Sequence, residues 1–230
     1  MLKNQSSDYR WCAAFVLLLL THSAHAADQP GGIPEEADEL AVWVIYEDQP
    51  HPRVPPAGWM PGGQGIALDT ACKNPAPFSG ETCISIQYLT NHPWVGVAHN
   101  VDGIFEKTKQ PLDVFASLNG RKGDAIELRV WARSEKGANV VFEFGGGAGS
   151  TTPFAQRSKL CGLNPEWKMH RIDLTNQDLS GLSGKVFTWL ARAQDQEAGV
   201  ERVDFQLDRI HVARIQRAPL KAGARPAGDR

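Results

Sequence analysis

Alternation of apolar and polar side chains with a period of two, broken every few residues by Gly, Pro, Asn or Asp, constrains this chain's fold more than any other feature. The clearest stretch is 126–133, where Ile126, Leu128, Val130 and Ala132 alternate with Glu127, Arg129, Trp131 and Arg133. Successive side chains of an extended strand point to opposite faces, so such a segment buries one face and wets the other. Similar patterns at 42–46, 65–69, 83–89, 94–98, 139–144, 167–174, 186–193 and 203–212 predict eight or nine short strands. No stretch of eleven or more residues carries a helical period, and 112–118 has room for one or two turns at most. The expected fold is all-β, an antiparallel β-sandwich or jelly roll. No repeat of 20–50 residues points to a solenoid or propeller.

The ends of the chain differ from this body. Lys3 and Arg10 precede an uncharged apolar run at 11–20, and Ala24-His25-Ala26 has the small-x-small pattern of a signal peptidase site. Residues 1–26 are expected to be a cleaved signal peptide, giving a secreted or periplasmic protein. The run falls short of the roughly 20 apolar residues that span a bilayer, so no transmembrane segment is expected after cleavage. Residues 27–40 read as an extended acidic lead-in, 41–213 as the β-sandwich domain and 214–230 as a disordered basic tail. The formal net charge of -2 conceals this division: 27–212 sums to -7 and 213–230 to +4. The near-neutral overall balance argues against a nucleic-acid partner.

Beyond the leader, three cysteines remain: Cys72, Cys83 and Cys161. Cys72 and Cys83 flank a segment rich in turn residues and are expected to form a disulfide, as the oxidising compartment favours. Pairing through Cys161, or three buried thiols, remains open.

Enzyme signatures are missing from the sequence: it has no Gly-x-Ser-x-Gly elbow, phosphate-binding glycine loop, His-Glu-x-x-His or Cys-x-x-Cys. The aromatic residues carry more information. A pyranose ring presents a face of C–H groups that stacks on an indole, while its hydroxyls bond to carboxylates, amides and guanidinium groups. Trp59 lies in a Pro- and Gly-rich segment, Trp94 opens a strand that ends in His99 and Asn100, and Trp131 shares a strand face with Glu127 and Arg129. Trp59, Trp94 and Trp131 are the candidate stacking residues, with His99, Asn100, Glu127 and Arg129 as hydrogen-bonding partners. Core packing is the alternative role for each tryptophan.

The order Gly58-Trp59-Met60, Ile84-Ser85-Ile86-Gln87-Tyr88, Trp94-Val95-Gly96-Val97, Leu128-Arg129-Val130-Trp131, Phe142-Glu143-Phe144-Gly145-Gly146, Glu166-Trp167-Lys168 and Phe205-Gln206-Leu207-Asp208-Arg209-Ile210 resembles the galactose-binding-like jelly rolls found as carbohydrate-binding modules associated with glucanases. The resemblance covers about residues 42–213. It implies a structural calcium held by Glu47 or Asp48 together with Asp208, and the apolar alternation slips between Leu207 and Ile210 as a bulge at Asp208 would make it do. It further implies a non-catalytic carbohydrate-binding protein whose partner is a polysaccharide or oligosaccharide, with a β-glucan or another plant or cell-wall polysaccharide as the expected class. Two other readings stay open. One is a small glycoside hydrolase or polysaccharide lyase using Glu127, Glu143, Asp173, His99 or Tyr88. The other is an envelope protein-interaction domain.

Overall fold

The computed structural model describes residues 39–215 except 62, 103–109, 122–123 and 147–153. The leader at 1–26, the lead-in up to residue 38 and the tail from residue 216 lie outside the described residues. Among the described residues, thirteen strands, one short α-helix and one 3-10 turn follow in order: β1 Glu39–Glu47, β2 Gln49–Pro50, β3 Pro56–Met60, β4 Ile66–Cys72, β5 Cys83–Leu89, β6 Trp94–Asn100, α1 Val114–Ser117, β7 Ala125–Arg133, β8 Ala138–Gly145, β9 Ala155–Arg157, β10 Cys161–Leu163, β11 Lys168–Asp173, β12 Lys185–Arg192, the 3-10 turn Ala193–Asp195 and β13 Arg202–Ile215. The described strands form two antiparallel sheets. This is the β-sandwich of jelly-roll type that the alternation implies. Among the described residues, no helix is long and apolar enough to cross a membrane.

The seven-stranded sheet runs β11-β7-β13-β1-β2, with β5 on β13 and β4 on β5. The other runs β10-β8-β12-β6-β3, with β9 on β8. Their inward faces interlock over a core that includes Trp189 edge-on to Phe205, with ring centroids 5.2 Å apart, and Phe142, Phe144 and Phe187. Aromatic pairs favour such edge-to-face packing over a parallel sandwich.

The 14-residue strand β13 organises the seven-stranded sheet. Its first half pairs with β5, its second half with β1, and both halves pair with β7 on the opposite side. The exchange of partner falls at residues 208–209, where the register against β7 shifts and Arg209 takes a positive φ of 41°. That is the bulge anticipated from the slip in alternation. The sandwich reaches slightly further than its expected limits, since β1 already holds Glu39 and Leu40 and β13 includes Arg214 and Ile215. Arg214 Nη1 donates to Asn119 O at 3.0 Å and lies 3.3 Å from the Asp124 carboxylate. The segment around Trp59, read from its prolines as a loop, is the edge strand β3. Edge strands tolerate proline because the missing N–H falls on the unpaired side. The expected turn at 112–118 is present as α1, capped by Asp113 Oδ1, which accepts the Ala116 N–H at 2.8 Å.

Candidate functional site

Parity along each strand decides which residues look outward. On β6, Val95, Val97 and His99 enter the core, so Trp94, Gly96, Ala98 and Asn100 share the outer side. Register extends that side across the six-stranded sheet in rows. One row holds Arg157, Glu143, Thr188, Ala98 and Gly58; the next holds Val141, Leu190, Gly96 and Met60; a third pairs Arg192 with Trp94. Rows two residues apart along a strand are separated by about 6.6 Å, so the strip from Trp94 to Ala98 is about 13 Å long.

The floor of this strip is made of small residues because nothing larger fits. A Cβ on Gly96 would lie 2.6 Å from Leu190 Cδ2 and 2.7 Å from the Trp189 carbonyl oxygen, and one on Gly58 would lie 2.9 Å from Ala98 Cβ. Met60 and Leu190 rise on either side of Gly96, and Trp94, 38% exposed, stands at one end.

Polar groups line the other end. Thr188 is fully buried and its Oγ1 has no hydrogen-bond partner; Asn100 Oδ1 is likewise buried and unpartnered. Unpaired buried polar atoms are costly; others lie on the seven-stranded sheet, at Arg129 Nη2, Arg133 Nε, Asp204 Oδ1 and Gln206 Oε1, and what singles out these two is their place on the face that also holds the exposed Trp94. Beside Thr188, Glu143 is held by the Lys185 ammonium and, at 2.9 Å, by Arg157 Nη2. Burial by itself would raise the Glu143 pKa, but the hydrogen bonds from Lys185 and Arg157 hold it below the ordinary carboxylate value.

The structure divides the seven residues singled out for ligand contact. Trp94 and Asn100 share the strip. His99 does not reach it: at 1% exposure it faces the core, its Nδ1 lies 3.3 Å from Val54 O, and burial drives its pKa down to about 4. This corrects its assignment as a ligand hydrogen-bonder. Trp59 opposes Val97 and therefore occupies the other side of β3, at the sandwich edge, 37% exposed. Glu127, Arg129 and Trp131 belong to the outer face of the seven-stranded sheet. There, Arg129 Nε donates to Glu127 at 3.1 Å and its Nη1 to Glu39 at 2.8 Å, while His211 Nε2 lies 2.8 Å from the same Glu39 oxygen.

Trp131 is already stacked, because Phe78 lies on it with ring centroids 3.6 Å apart and planes 13° from parallel. Its indole face is filled by the chain's own loop, which corrects the expectation that it stacks on a sugar. Of the residues considered for catalysis, His99 is buried as described and the Tyr88 hydroxyl is spent on His92 O at 2.6 Å. Glu127 and Asp173 oppose each other across β7 and β11, on the sheet away from Glu143.

The loop that covers Trp131 is fastened by the two aspartates expected to bind calcium. Asp208, fully buried at the bulge, accepts the N–H groups of Phe78 at 2.7 Å and Ser79 at 3.0 Å on Oδ2 and its neighbour's, Arg209, at 2.7 Å on Oδ1. Desolvation raises its pKa despite those donors. Asp48 Oδ1 accepts the N–H groups of Glu81 at 2.5 Å and Thr82 at 3.0 Å, while Glu47 is exposed. Calcium needs six or more oxygens with free lone pairs, whereas here N–H dipoles point their positive ends at the carboxylates. No group of three or more His, Cys, Asp and Glu residues is assembled for a metal among the described residues. In this arrangement Glu47, Asp48 and Asp208 do not fit a calcium cage. At the neck of the same loop, Cys72 and Cys83 are direct cross-strand partners, both present as thiols, and burial pushes the Cys83 pKa up to about 12.

Thr188, Arg192 and Gly96 escaped the reading of the sequence. Parity relative to Trp189 and Ala191 places Thr188 and Arg192 outward, so that signal was available; the pairing that sets them beside Trp94 and Ala98 was not.

No family model and no curated protein matches the chain. Among solved structures it is similar to the CBM22-1 xylan-binding domain from Paenibacillus barcinonensis Xyn10C, at 12% identity and a TM-score of 0.43 over 79% of this chain and 97% of that one. It is also similar to a family 30 carbohydrate binding module, at 12% identity and a TM-score of 0.47 over 83% of this chain and 94% of that one. A mutant of a family 29 carbohydrate binding module matches at 8% identity and a TM-score of 0.40, over 75% of this chain and 85% of that one.

Proposed function

We propose that this chain is a non-catalytic carbohydrate-binding protein whose polysaccharide ligand lies along the outer face of the six-stranded sheet. One observation carries the reading: the unpartnered Thr188 Oγ1 and Asn100 Oδ1 sit beside a floor of Gly58, Gly96 and Ala98 that ends at the exposed Trp94. The indole stacks on the C–H face of a pyranose, and the orphaned polar atoms pair with its hydroxyls. The ligand class anticipated from the sequence, a β-glucan or another plant or cell-wall polysaccharide, and export by a cleaved leader belong to the same proposal.

Binding is favoured over hydrolysis by the charges at the strip. Glycosidases work with two carboxylates roughly 5–9.5 Å apart, one with a raised pKa. Among the described residues in these rows, the carboxylate is Glu143, and it is neutralised by two cations with its pKa lowered.

Affinity electrophoresis through gels containing β-glucan, xylan, galactan or mannan tests the proposal. At least one polymer retards the wild-type protein, and Trp94→Ala reduces that retardation by at least about fivefold in apparent affinity, given about 1–3 kcal/mol for a well-stacked aromatic contact. A wild-type protein retarded by no neutral or acidic polysaccharide refutes it. Reducing ends or unsaturated uronates accumulating with the pure protein would overturn the non-catalytic part.

A further inference from the structure

Resting on that reading, we infer that the strip selects glycans carrying a carboxylate, with Arg192 as the group that binds it. Arg192 is the direct cross-strand partner of Trp94 on the outer side of the sheet, and both side chains are exposed. Directly opposed cross-strand residues have Cβ atoms about 4.5–5.5 Å apart, so the guanidinium and the indole work on one sugar ring.

The cations of this face divide sharply by partner. Lys185 and Arg157 both spend their charge on Glu143, whereas the Arg192 guanidinium takes part in no ion pair or side-chain hydrogen bond among the described residues. Among the described residues of this face, Lys185, Arg157 and Arg192 against Glu143 leave an excess of two positive charges, in a body that sums to -7 over 27–212. Acidic polymers are repelled by the rest of that body and drawn to this face, because local potential rather than net charge steers a polyelectrolyte.

The stereochemistry of a uronate suits the pair. Its carboxylate projects from the ring edge, so a ring stacked on Trp94 places that group outward, within reach of an adjacent guanidinium. Guanidinium binds carboxylate through two parallel N–H···O bonds, which an ammonium or an amide does not reproduce. A neutral hexose has a hydroxymethyl group there and leaves Arg192 unpaired.

The test runs the full chain through gels containing polygalacturonate, alginate or glucuronoxylan, each beside its methyl-esterified counterpart of equal chain length. The expected result is at least one acidic polymer bound at least fivefold more tightly than its ester, with the preference shrinking as salt rises from about 0.05 to about 0.5 M. Arg192→Gln lowers affinity for that polymer about three- to tenfold and removes the preference, and Arg192→Lys restores only part of it. Arg202→Gln, on β13 of the other sheet, controls for lost charge and leaves the preference intact. Equal binding of each acid and its ester, or a preference that survives Arg192→Gln, overturns this inference and leaves the carbohydrate-binding reading standing. Failure of acidic, esterified and neutral polymers alike refutes both.

Discussion

Replacing Asp208 with alanine tests whether the loop between β4 and β5 is held by backbone donors rather than by a cation. The carboxylate accepts two loop N–H groups, from Phe78 and Ser79, and that of Arg209 within the bulge. Each loop donor left without a partner costs about 1–3 kcal/mol, and removing a carboxylate whose pKa is raised by burial returns part of that sum. The net loss is about 2–3 kcal/mol. A domain of this size loses about 2–4 °C per kcal/mol, so the melting midpoint falls by about 4–12 °C. Urea denaturation followed by tryptophan fluorescence reads both consequences. The midpoint drops with little change in m, and the native spectrum shifts because Phe78 no longer holds its place on Trp131. A loss below about 0.5 kcal/mol, on the scale of an ordinary surface substitution, refutes the clasp. The same samples with chelator or with added calcium give unchanged midpoints if the donors alone satisfy the site. A chelator-induced drop that disappears in Asp208→Ala would instead restore the cation.

Other perturbations follow from the same geometry. His99 is neutral in the fold down to about pH 4, while an unfolded chain protonates it near 6.5, so the stability it contributes is fully present above 6.5 and is lost as pH falls toward 4. The loss across that window is about 3 kcal/mol, and His99→Gln flattens the corresponding slope of denaturation midpoint against pH. Gly96→Ala forces a methyl group against Leu190 and the Trp189 carbonyl, costing about 1–3 kcal/mol and weakening glycan binding; a variant as stable and as retentive as wild type would show that the floor can yield. Under oxidising conditions Cys72 and Cys83 form a disulfide, seen by non-reducing peptide mapping, and reduction lowers stability by about 2–3 kcal/mol; a linked peptide containing Cys161 would disprove that pairing.

The strands were legible in the sequence because each has a buried face, and a two-residue period survives wherever one side must be apolar. The bulge at Asp208 was legible for the same reason, since an inserted residue shifts the alternation by one. The edge strand β3 was not, because Pro55, Pro56, Gly58 and Pro61 are also what a loop contains, and only pairing with β6 separates the two. For the site, parity correctly turns Trp94, Asn100, Glu127, Arg129 and Trp131 outward. It is silent on which sheet each strand joins, and so merged two opposite faces into one site. His99 is a different kind of miss, since it has the parity of Val95 and Val97 and belongs with the core on sequence alone. Phe78 on Trp131 was beyond reach, because a contact between residues so far apart in the chain depends on how Asp208 holds the intervening loop.

The two outer faces show how one sandwich can leave a single surface open. Both carry outward aromatic residues and charged groups, and by composition neither is the better ligand site. On the seven-stranded sheet the chain supplies its own partners: Phe78 covers Trp131, Glu39 and Glu127 take Arg129, and Asp208 and Asp48 occupy N–H groups of the covering loop. On the six-stranded sheet the outward aromatic and its neighbouring cation stay uncovered. Among the described residues, Trp94 has no ring stacked on it, Arg192 has no carboxylate, and Thr188 and Asn100 keep buried, unpaired oxygen atoms beside Ala98 and Gly58. Buried polar atoms without a partner also occur on the seven-stranded sheet, at Arg129 Nη2, Arg133 Nε, Asp204 Oδ1 and Gln206 Oε1, so the six-stranded face is set apart by having such atoms together with an uncovered Trp94 and Arg192, and each orphaned atom is retained at a cost in stability. Removing an orphaned oxygen of this face should therefore stabilise the protein while weakening binding. Thr188→Val, which matches the side chain in shape and removes the orphaned hydroxyl, raises stability by about 1 kcal/mol and weakens retention in the gel. A Thr188→Val variant that binds as tightly as wild type would place the ligand elsewhere on the sandwich.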